Sequence, residues 1–326
     1  MTRAEHPERE RGPEGWRPAA ATHRPGFVSL IADPKAGAGR VAKAIPVIQR
    51  ELPGHGFGYH LAVATKPGEA AELTREALAR GERFVVAVGD DATVSDVLNG
   101  FLVDDRPVDP EAVLGVLSAN SGGDVVRSFG LSQDPAEAVA RFEVGDVYSI
   151  DVGKATVTAS GGARSRYFLN MAQVGLGGAT TAMASRLPRV MGRARLFAGY
   201  WLAMAACRRP RVLLKGDRRE FEGRVTNVLV ANLQFGRNGM WLAPRAWPED
   251  GYLDLQVFTG PRSESFTLLP KMFQGEHLPH PHVLELRSTK VGVESDRPLW
   301  VEADGVPLGR TPATFEVLPR ILRFKV

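Results

Sequence analysis

Phe84 to Val88 reads FVVAV, five apolar residues with no polar position between them. A strand written this way has no wet face, so it belongs inside a parallel sheet covered on both sides. It runs into Gly89-Asp90-Asp91-Ala92-Thr93, after which Val94, Val97 and Leu98 carry a helical stripe toward Gly100. In an open α/β sheet such a crossing lies at the carboxyl ends of the strands, where ligands bind. A helix N-terminus there favours anions such as phosphates.

Two further runs repeat the buried-strand pattern, Phe27 to Ala32 and Val113 to Leu117, and a fourth strand is expected near Tyr59 to Ala64. Helices are expected between them, over about Val41 to Leu52, Gly68 to Arg80 and Asp134 to Phe142, with Pro46 weakening the first. Strands alternating with helices predict a parallel sheet wound on both faces. From Val147 onward the pattern changes to short β-branched stretches separated by Gly, Pro and Asp. The expectation is therefore α/β plus all-β: a doubly wound nucleotide-type domain over 26–146 and an antiparallel β-sandwich over 147–326. Residues 1–25 carry almost no large apolar groups and are expected to form a disordered tail.

A formal charge of +4 suits an anionic ligand or a membrane surface and falls short of a nucleic-acid footprint, so no nucleic-acid partner is expected. A single cysteine, Cys207, excludes an internal disulfide and a cysteine zinc cage. No apolar run approaches the ~20 residues that span a bilayer, and the N-terminus lacks an apolar signal core. A cytoplasmic home is the simplest expectation, peripheral at a membrane if the substrate requires it.

Gly37-Ala38-Gly39-Arg40-Val41-Ala42 fits the dinucleotide pattern GxGxxA, but that motif starts where its strand ends and here four residues intervene. Another alignment fits more of the chain. Gly89 to Thr93 resembles the GGDGT signature of the diacylglycerol kinase and sphingosine kinase superfamily of lipid kinases, which shares its fold with NAD kinases. Asp33-Pro34-Lys35-Ala36-Gly37 is similar to that family's Asn-Pro-x-Ser/Ala-Gly loop, Thr65 to the Thr after its second strand, and Ser121-Gly122-Gly123-Asp124-Val125-Val126-Arg127 to its Thr-Gly-Asn-Asp-Phe-Ala-Arg. Tyr167 to Ala172 with Gly175-Leu176-Gly177 resembles the Phe-x-Asn segment and its turn. Val228 to Asn232, Gly239-Met240, Ala243-Pro244, Ala246 and Asp250-Gly251-Tyr252-Leu253-Asp254 follow the family's later series in order. Near the C-terminus Asp304-Gly305, Thr311-Pro312 and Leu318-Pro319 continue it, with Val306 where the family has Glu. The weaker NAD kinase reading lacks support from this last series.

The resemblance implies an ATP-dependent kinase acting on the hydroxyl of diacylglycerol or a similar lipid, with magnesium. Its nucleotide side would comprise Asp33, Pro34, Lys35, Ala36, Gly37, Thr65, Gly89, Asp90, Asp91, Ala92, Thr93, Asp96, Ser121, Gly122 and Asp124. Asp91 would organise magnesium and phosphates, and Asp304 would be the base. A structural magnesium is implied at Asp250 with the carbonyls of Trp247 and Tyr252. A lipid substrate and a membrane surface are the implied partners, and a homodimer is compatible. The departures at Asp33, Asp90, Ala92, Gly123 and Val306 fall in the nucleotide and catalytic motifs, so an inactive relative that retains lipid or nucleotide binding is the alternative. If the loop keeps a glycine conformation, a Cβ at position 90 or 92 would cost ~1 to 2 kcal/mol.

Two stretches stand outside these motifs. Leu196, Phe197, Tyr200, Trp201 and Met204 form an apolar helical stripe, preceded by Arg186, Arg189, Arg193 and Arg195 and followed by Arg208, Arg209, Arg211 and Lys215. It is either a core-facing helix with solvated ends or a lipid-approach surface. His277, His280 and His282 cluster in HLPHPH, where the prolines prevent the helical geometry of zinc proteases and no acid follows in motif spacing, so they are expected to be loop residues.

Overall fold

The computed structural model describes residues 26–118, 123–159, 162–188, 191, 194–237 and 239–326, and the tail expected over 1–25 lies outside them. Strands β1 (Phe27–Ala32), β2 (Gly58–Val63) and β3 (Phe84–Val88) alternate with helices α1 (Ala36–Gly54), α2 (Glu69–Ala79) and α3 (Asp91–Phe101). A small hairpin, β4 (Leu102–Val103) and β5 (Arg106–Pro107), then leads to β6 (Val113–Leu117), α4 (Asp124–Ser128) and α5 (Pro135–Val144). The strands pair in parallel in the order β6-β3-β1-β2. Alternate residues of β3 leave the sheet on opposite sides: Phe84, Val86 and Val88 pack with α1 and α5, and Val85 and Ala87 with α2 and α3. That two-sided burial is why FVVAV carries no polar position.

Helix α1 starts five residues earlier than its spacing suggested and runs through Pro46. Val41, Ala44, Ile48 and Leu52 bury one face, while Pro46 stands exposed on another. The proline removes a backbone donor on the wet side, where water can serve the carbonyl left behind.

From β7 (Val147–Ala159), β8 (Gly162–Phe168) and β9 (Met171–Gly175) the chain passes through α6 (Leu176–Ala184) and α7 (Ala194–Ala206) to the hairpin β10 (Arg211–Gly216) and β11 (Glu220–Arg224). Next come β12 (Asn227–Ala231), β13 (Phe235–Gly236), β14 (Met240–Trp241), β15 (Leu253–Phe258), α8 (Ser265–Met272), β16 (Val283–Ser288) and β17 (Lys290–Ser295). The chain ends in β18 (Trp300–Ala303), β19 (Val306–Arg310) and β20 (Ala313–Lys325). A six-stranded antiparallel sheet, β16-β15-β12-β9-β18-β19, packs its apolar face on β7, β10, β17 and β20, which makes the sandwich.

The mixed sheet does not stop at the lobe boundary. One edge of β20 pairs with β17 through residues 313–316 and with β6, in parallel, through Arg323 and Phe324. Its other edge pairs with β7 from Ala313 to Lys325 across an irregularity between Leu318 and Leu322. Leu322 and Phe324 are thus buried with Ile150 and Val152 in the core of the α/β lobe.

Candidate active site

Only Gly89 and Asp90 separate β3 from α3, which begins at Asp91. Asp90 is its N-cap, extended at φ −97° and ψ −177°, with Oδ1 accepting from Thr93 N at 3.2 Å and Thr93 Oγ1 at 3.3 Å. Ala92 lies exposed in the first helical turn, and neither residue has a positive φ. The strain expected of a Cβ at positions 90 and 92 is therefore not incurred: the two residues stand at a capped helix start. The carboxylate of Asp90 already takes an amide that a phosphate oxygen could use.

Asp91 does the same for α4. Its Oδ1 accepts from Asp124 N at 2.9 Å and Val125 N at 3.1 Å. Asp124 in turn accepts from Gly239 N at 2.6 Å, so a hydrogen-bonded chain runs from α3 through α4 to the segment between β13 and β14 in the other lobe. Burial pushes the Asp91 carboxyl well above the carboxylate range, with the charge of Asp124 adding to it and the two amides opposing.

The loops after β1 and β2 meet beside this turn. Asp33 accepts from Lys35 N at 2.9 Å, closing an Asx turn, and Lys35 Nζ reaches Thr65 O at 3.4 Å. Pro34 is half-buried, Ala36 is buried in the first turn of α1, and Gly37 has a φ of +62°. Thr65 donates through N and Oγ1 to Glu69 Oε2, at 2.6 and 2.8 Å. Asp96 accepts from Gly68 N at 2.9 Å and from Arg166 at 2.6 Å. Ser121 and Gly122 lie outside the described residues. Every other residue assigned to the nucleotide side lies at or near the carboxyl ends of β1, β2, β3 and β6.

Asp304 opens the turn after β18, with a φ of +46°. Its carboxylate accepts three backbone N–H groups: Leu169 at 2.8 Å, Asn170 at 3.0 Å and Met171 at 3.1 Å. Burial nevertheless raises its pKa, against those amides and the charge of Arg166. Arg166, whose charge acts on this carboxylate, donates to Ser95 and Asp96 of α3. Glu302 is more deeply placed, 2 % exposed, bonded to Arg237 at 3.0 Å and accepting from Gly305 N at 2.6 Å. Burial pushes it up to about 7, opposed chiefly by Arg237 and reinforced by Asp304. No local pattern in the sequence marks Arg166 or Arg237. Each meets its carboxylate only through strand pairing and a turn far away in the chain.

The Asp250 turn differs from the implied magnesium site. Asp250 Oδ1 accepts from Tyr252 N at 3.1 Å, and Oδ2 is taken by the guanidinium of Arg287, which lies 4.9 Å over the Tyr252 ring. The Trp247 carbonyl faces the Asp250 amide at 3.5 Å. A fixed cation already neutralises the carboxylate, so the residues present do not fit a magnesium ion there. Adding magnesium to chelator-treated protein should leave its melting temperature unchanged, whereas Arg287→Gln should destabilise by up to about 1 kcal/mol in thermal melts. A magnesium-dependent rise lost in Asp250→Asn would restore the metal.

The apolar stripe of α7 is split: Met204 faces the core, whereas Leu196, Phe197 and Trp201 do not. Gly199, Ala203 and Met204 are buried, and a Cβ at Gly199 would come within 2.7 Å of Thr180 O and 2.8 Å of Ala184 N, so the absence of a side chain sets how closely α7 sits on α6. Phe197 is left 67 % exposed, with Trp201 and Leu202 beside it. Trp201 meets Phe266 of α8 at 5.6 Å between ring centres, and Phe266 and Phe273 are exposed too. Arg208, Arg211 and Lys215 are exposed just beyond the helix, while Arg189 and Arg193 lie outside the described residues.

Comparison with known proteins places these features in a family context. Residues 28–155 match the Diacylglycerol kinase catalytic domain, and residues 170–326 match the YegS C-terminal NAD kinase beta sandwich-like domain. The chain is 25% identical over 288 residues to Lipid kinase YegS of Escherichia coli K12, covering 87% of this chain and 90% of that one. It is similar to the same extent to Probable lipid kinase YegS of Shigella flexneri. Two solved structures from Bacillus anthracis, both described as diacylglycerol kinases and one only provisionally, show the same fold. Their TM-scores are 0.72 and 0.67, at 21% and 20% identity, each covering 92% of this chain and 96% of the other.

Proposed function

Because this chain belongs to the lipid kinase family defined by the diacylglycerol kinase catalytic domain and the YegS-type C-terminal sandwich, we propose that it transfers the γ-phosphoryl group of ATP to the hydroxyl of a diacylglycerol-like lipid. The observation that carries this is the pair of carboxylates set on the two lobes: Asp91 at the N-terminus of α3, linked through Asp124 to Gly239, and Asp304 beside β9, held by the amides of Leu169, Asn170 and Met171.

Asp304 has three of its about four lone-pair positions filled by amides, which leaves one on Oδ2 to accept the proton of the lipid hydroxyl. The same amides hold it in place. The freed alkoxide oxygen bonds to the γ-phosphorus and the bond to the departing ADP breaks, so phosphate and proton are both accounted for. Glu302, packed behind with Arg237, supports the turn. Magnesium carried with the nucleotide would screen its phosphates, and such an ion needs only one or two protein carboxylates. Asp91 would supply one such carboxylate, with Asp124 next to it at the start of α4 and Asp90 before it in the chain.

Among the described residues no helix is long and apolar enough to cross a membrane. The lipid would be met at the bilayer surface through Phe197, Trp201 and Phe266, with Arg208 and Arg211 near anionic headgroups. Binding to liposomes should rise with anionic lipid and fall with salt, and Phe197→Ala with Trp201→Ala should reduce it at least tenfold in co-sedimentation. Binding unchanged in the double variant would remove this surface.

The test of the activity is transfer of label from radiolabelled ATP to a mixed lipid panel with magnesium or manganese. One specific observation favours an inactive relative that still binds lipid or nucleotide: Asp90 and Asp91 already cap the two helices a triphosphate would meet, and Val306 stands where the family has Glu. In that case wild type transfers nothing.

A further inference from the structure

The histidines of HLPHPH are not an isolated loop cluster. Chain folding brings Glu264, from the turn ahead of α8, to His280 and His282, so that one ligand atom from each lies within 4.8 Å of the others. We propose that these three side chains bind a divalent transition-metal ion of the zinc type, at a site separate from the phosphoryl-transfer centre.

The chemistry of the donors selects the ion. Two imidazoles and one carboxylate are the borderline set that zinc takes, whereas magnesium and calcium prefer all-oxygen shells. Zinc bonds of about 2.0 to 2.2 Å require ligand atoms roughly 3.3 to 3.5 Å apart in a tetrahedral shell. The three ligand atoms would have to close in from 4.8 Å to that spacing, with water completing the shell.

The local contacts show where the lone pairs are. His282 Nδ1 and Glu264 Oε1 are 2.5 Å apart, so both donor atoms already point at one place, where a cation could take the position between them. His280 Nδ1 accepts a long bond from His282 N at 3.2 Å, a weak contact that a metal bond at that nitrogen would displace.

The backbone is built to hold this arrangement. Thr259 donates through both N and Oγ1 to His282 O, at 2.8 and 3.1 Å, and the strand pair Phe258–Val283 fixes the two segments in register. A Cβ at Gly260 would fall 1.6 Å from Glu264 Oε2 and 3.2 Å from His282 Cβ, so a side chain at that position would expel the glutamate. Two arginines nearby are engaged elsewhere, Arg262 with Ala205 O and Arg209 with Thr259 O.

The bound ion would cross-link the start of α8 to the entry of β16. It would thereby steady Phe266, two residues after Glu264, against Trp201 of α7.

The experiment uses the full untagged chain, stripped with chelator and titrated with zinc or cobalt. Wild type should bind one zinc ion, show the intense visible absorption of tetrahedral cobalt, and melt about 5 °C higher at hundredfold excess over Kd. His280→Ala with His282→Ala, and separately Gly260→Ala, should lose the cobalt band and the shift while keeping the metal-free melting temperature. The tail histidines provide the control: His6→Ala with His23→Ala should bind as wild type does. No one-to-one zinc binding in wild type, or binding retained in the His280/His282 double variant, overturns the site.

Discussion

Asp304→Asn should lower phosphoryl transfer to lipid by about 10² to 10⁴-fold, the usual contribution of a general base. Asparagine tolerates the left-handed backbone at this position, but its amide cannot accept on both sides as the carboxylate does. One of the three donors from Leu169, Asn170 and Met171 would then face an N–H, costing about 1 to 3 kcal/mol. Rates should therefore be compared well below the melting temperature of the variant, with the fold checked by circular dichroism. The base works only when ionised, and burial raises its pKa, so the wild-type rate should fall on acidification at a higher pH than an ordinary aspartate would give. Activity within threefold of wild type would remove Asp304 from the mechanism. If wild type is silent, Asp90→Gly with Val306→Glu tests the inactive reading by restoring a free helix N-terminus and the second acid. Ala92 is better left alone: it is helical, and glycine there would cost about 1 kcal/mol.

The largest stability effect is expected at Arg237. Replacing it with Met leaves Glu302 buried without its cation, and breaking such a pair costs about 3 to 5 kcal/mol. Arg237 also donates to Gly177 O at 2.8 Å and Thr181 Oγ1 at 3.2 Å, so contacts to α6 go with it. The pH dependence separates charge from packing. Burial holds Glu302 at about 7 in the fold, above the ordinary glutamate range, so its contribution is fully present below the unfolded pKa and is lost as pH rises through 7. Without Arg237 the folded value rises further. The melting deficit of Arg237→Met should therefore widen as pH rises above about 7, and Glu302→Gln in the same chain should flatten it. A deficit independent of pH would mean that the arginine acts by packing alone.

Much of the fold was legible because buried parallel strands have an unambiguous pattern. FVVAV, FVSLIA and VLGVL each form the strand their composition demands, and the change of pattern at Val147 coincides with the start of the long strand β7. What stayed hidden depends on distance along the chain. Helical spacing in α7 is the same whether Phe197 and Trp201 face a core or water, and only the packing of Gly199 on α6 decides it. Arg287 reaches Asp250 across 37 residues and Glu264 reaches His282 across 18, so neither pair has a motif spacing. The altered signature at Asp90 and Ala92 invited a strain penalty because the glycine loop was assumed; the actual helix start removes the premise.

Strand β20 has a mechanical consequence. Two lobes joined only by a linker could rotate freely about it, but here one hydrogen-bonded strand is laminated into both, gripped by β17 at one end and β6 at the other. Closure over a substrate must then proceed as flexure of a continuous beam. The compliant point is the break in pairing between Leu318 and Leu322, where Arg320 takes a φ of +50° and donates its N–H to Asp151. Asp151 also accepts from Gly251, so the joint of the beam is pinned to the Asp250 turn on the sandwich side.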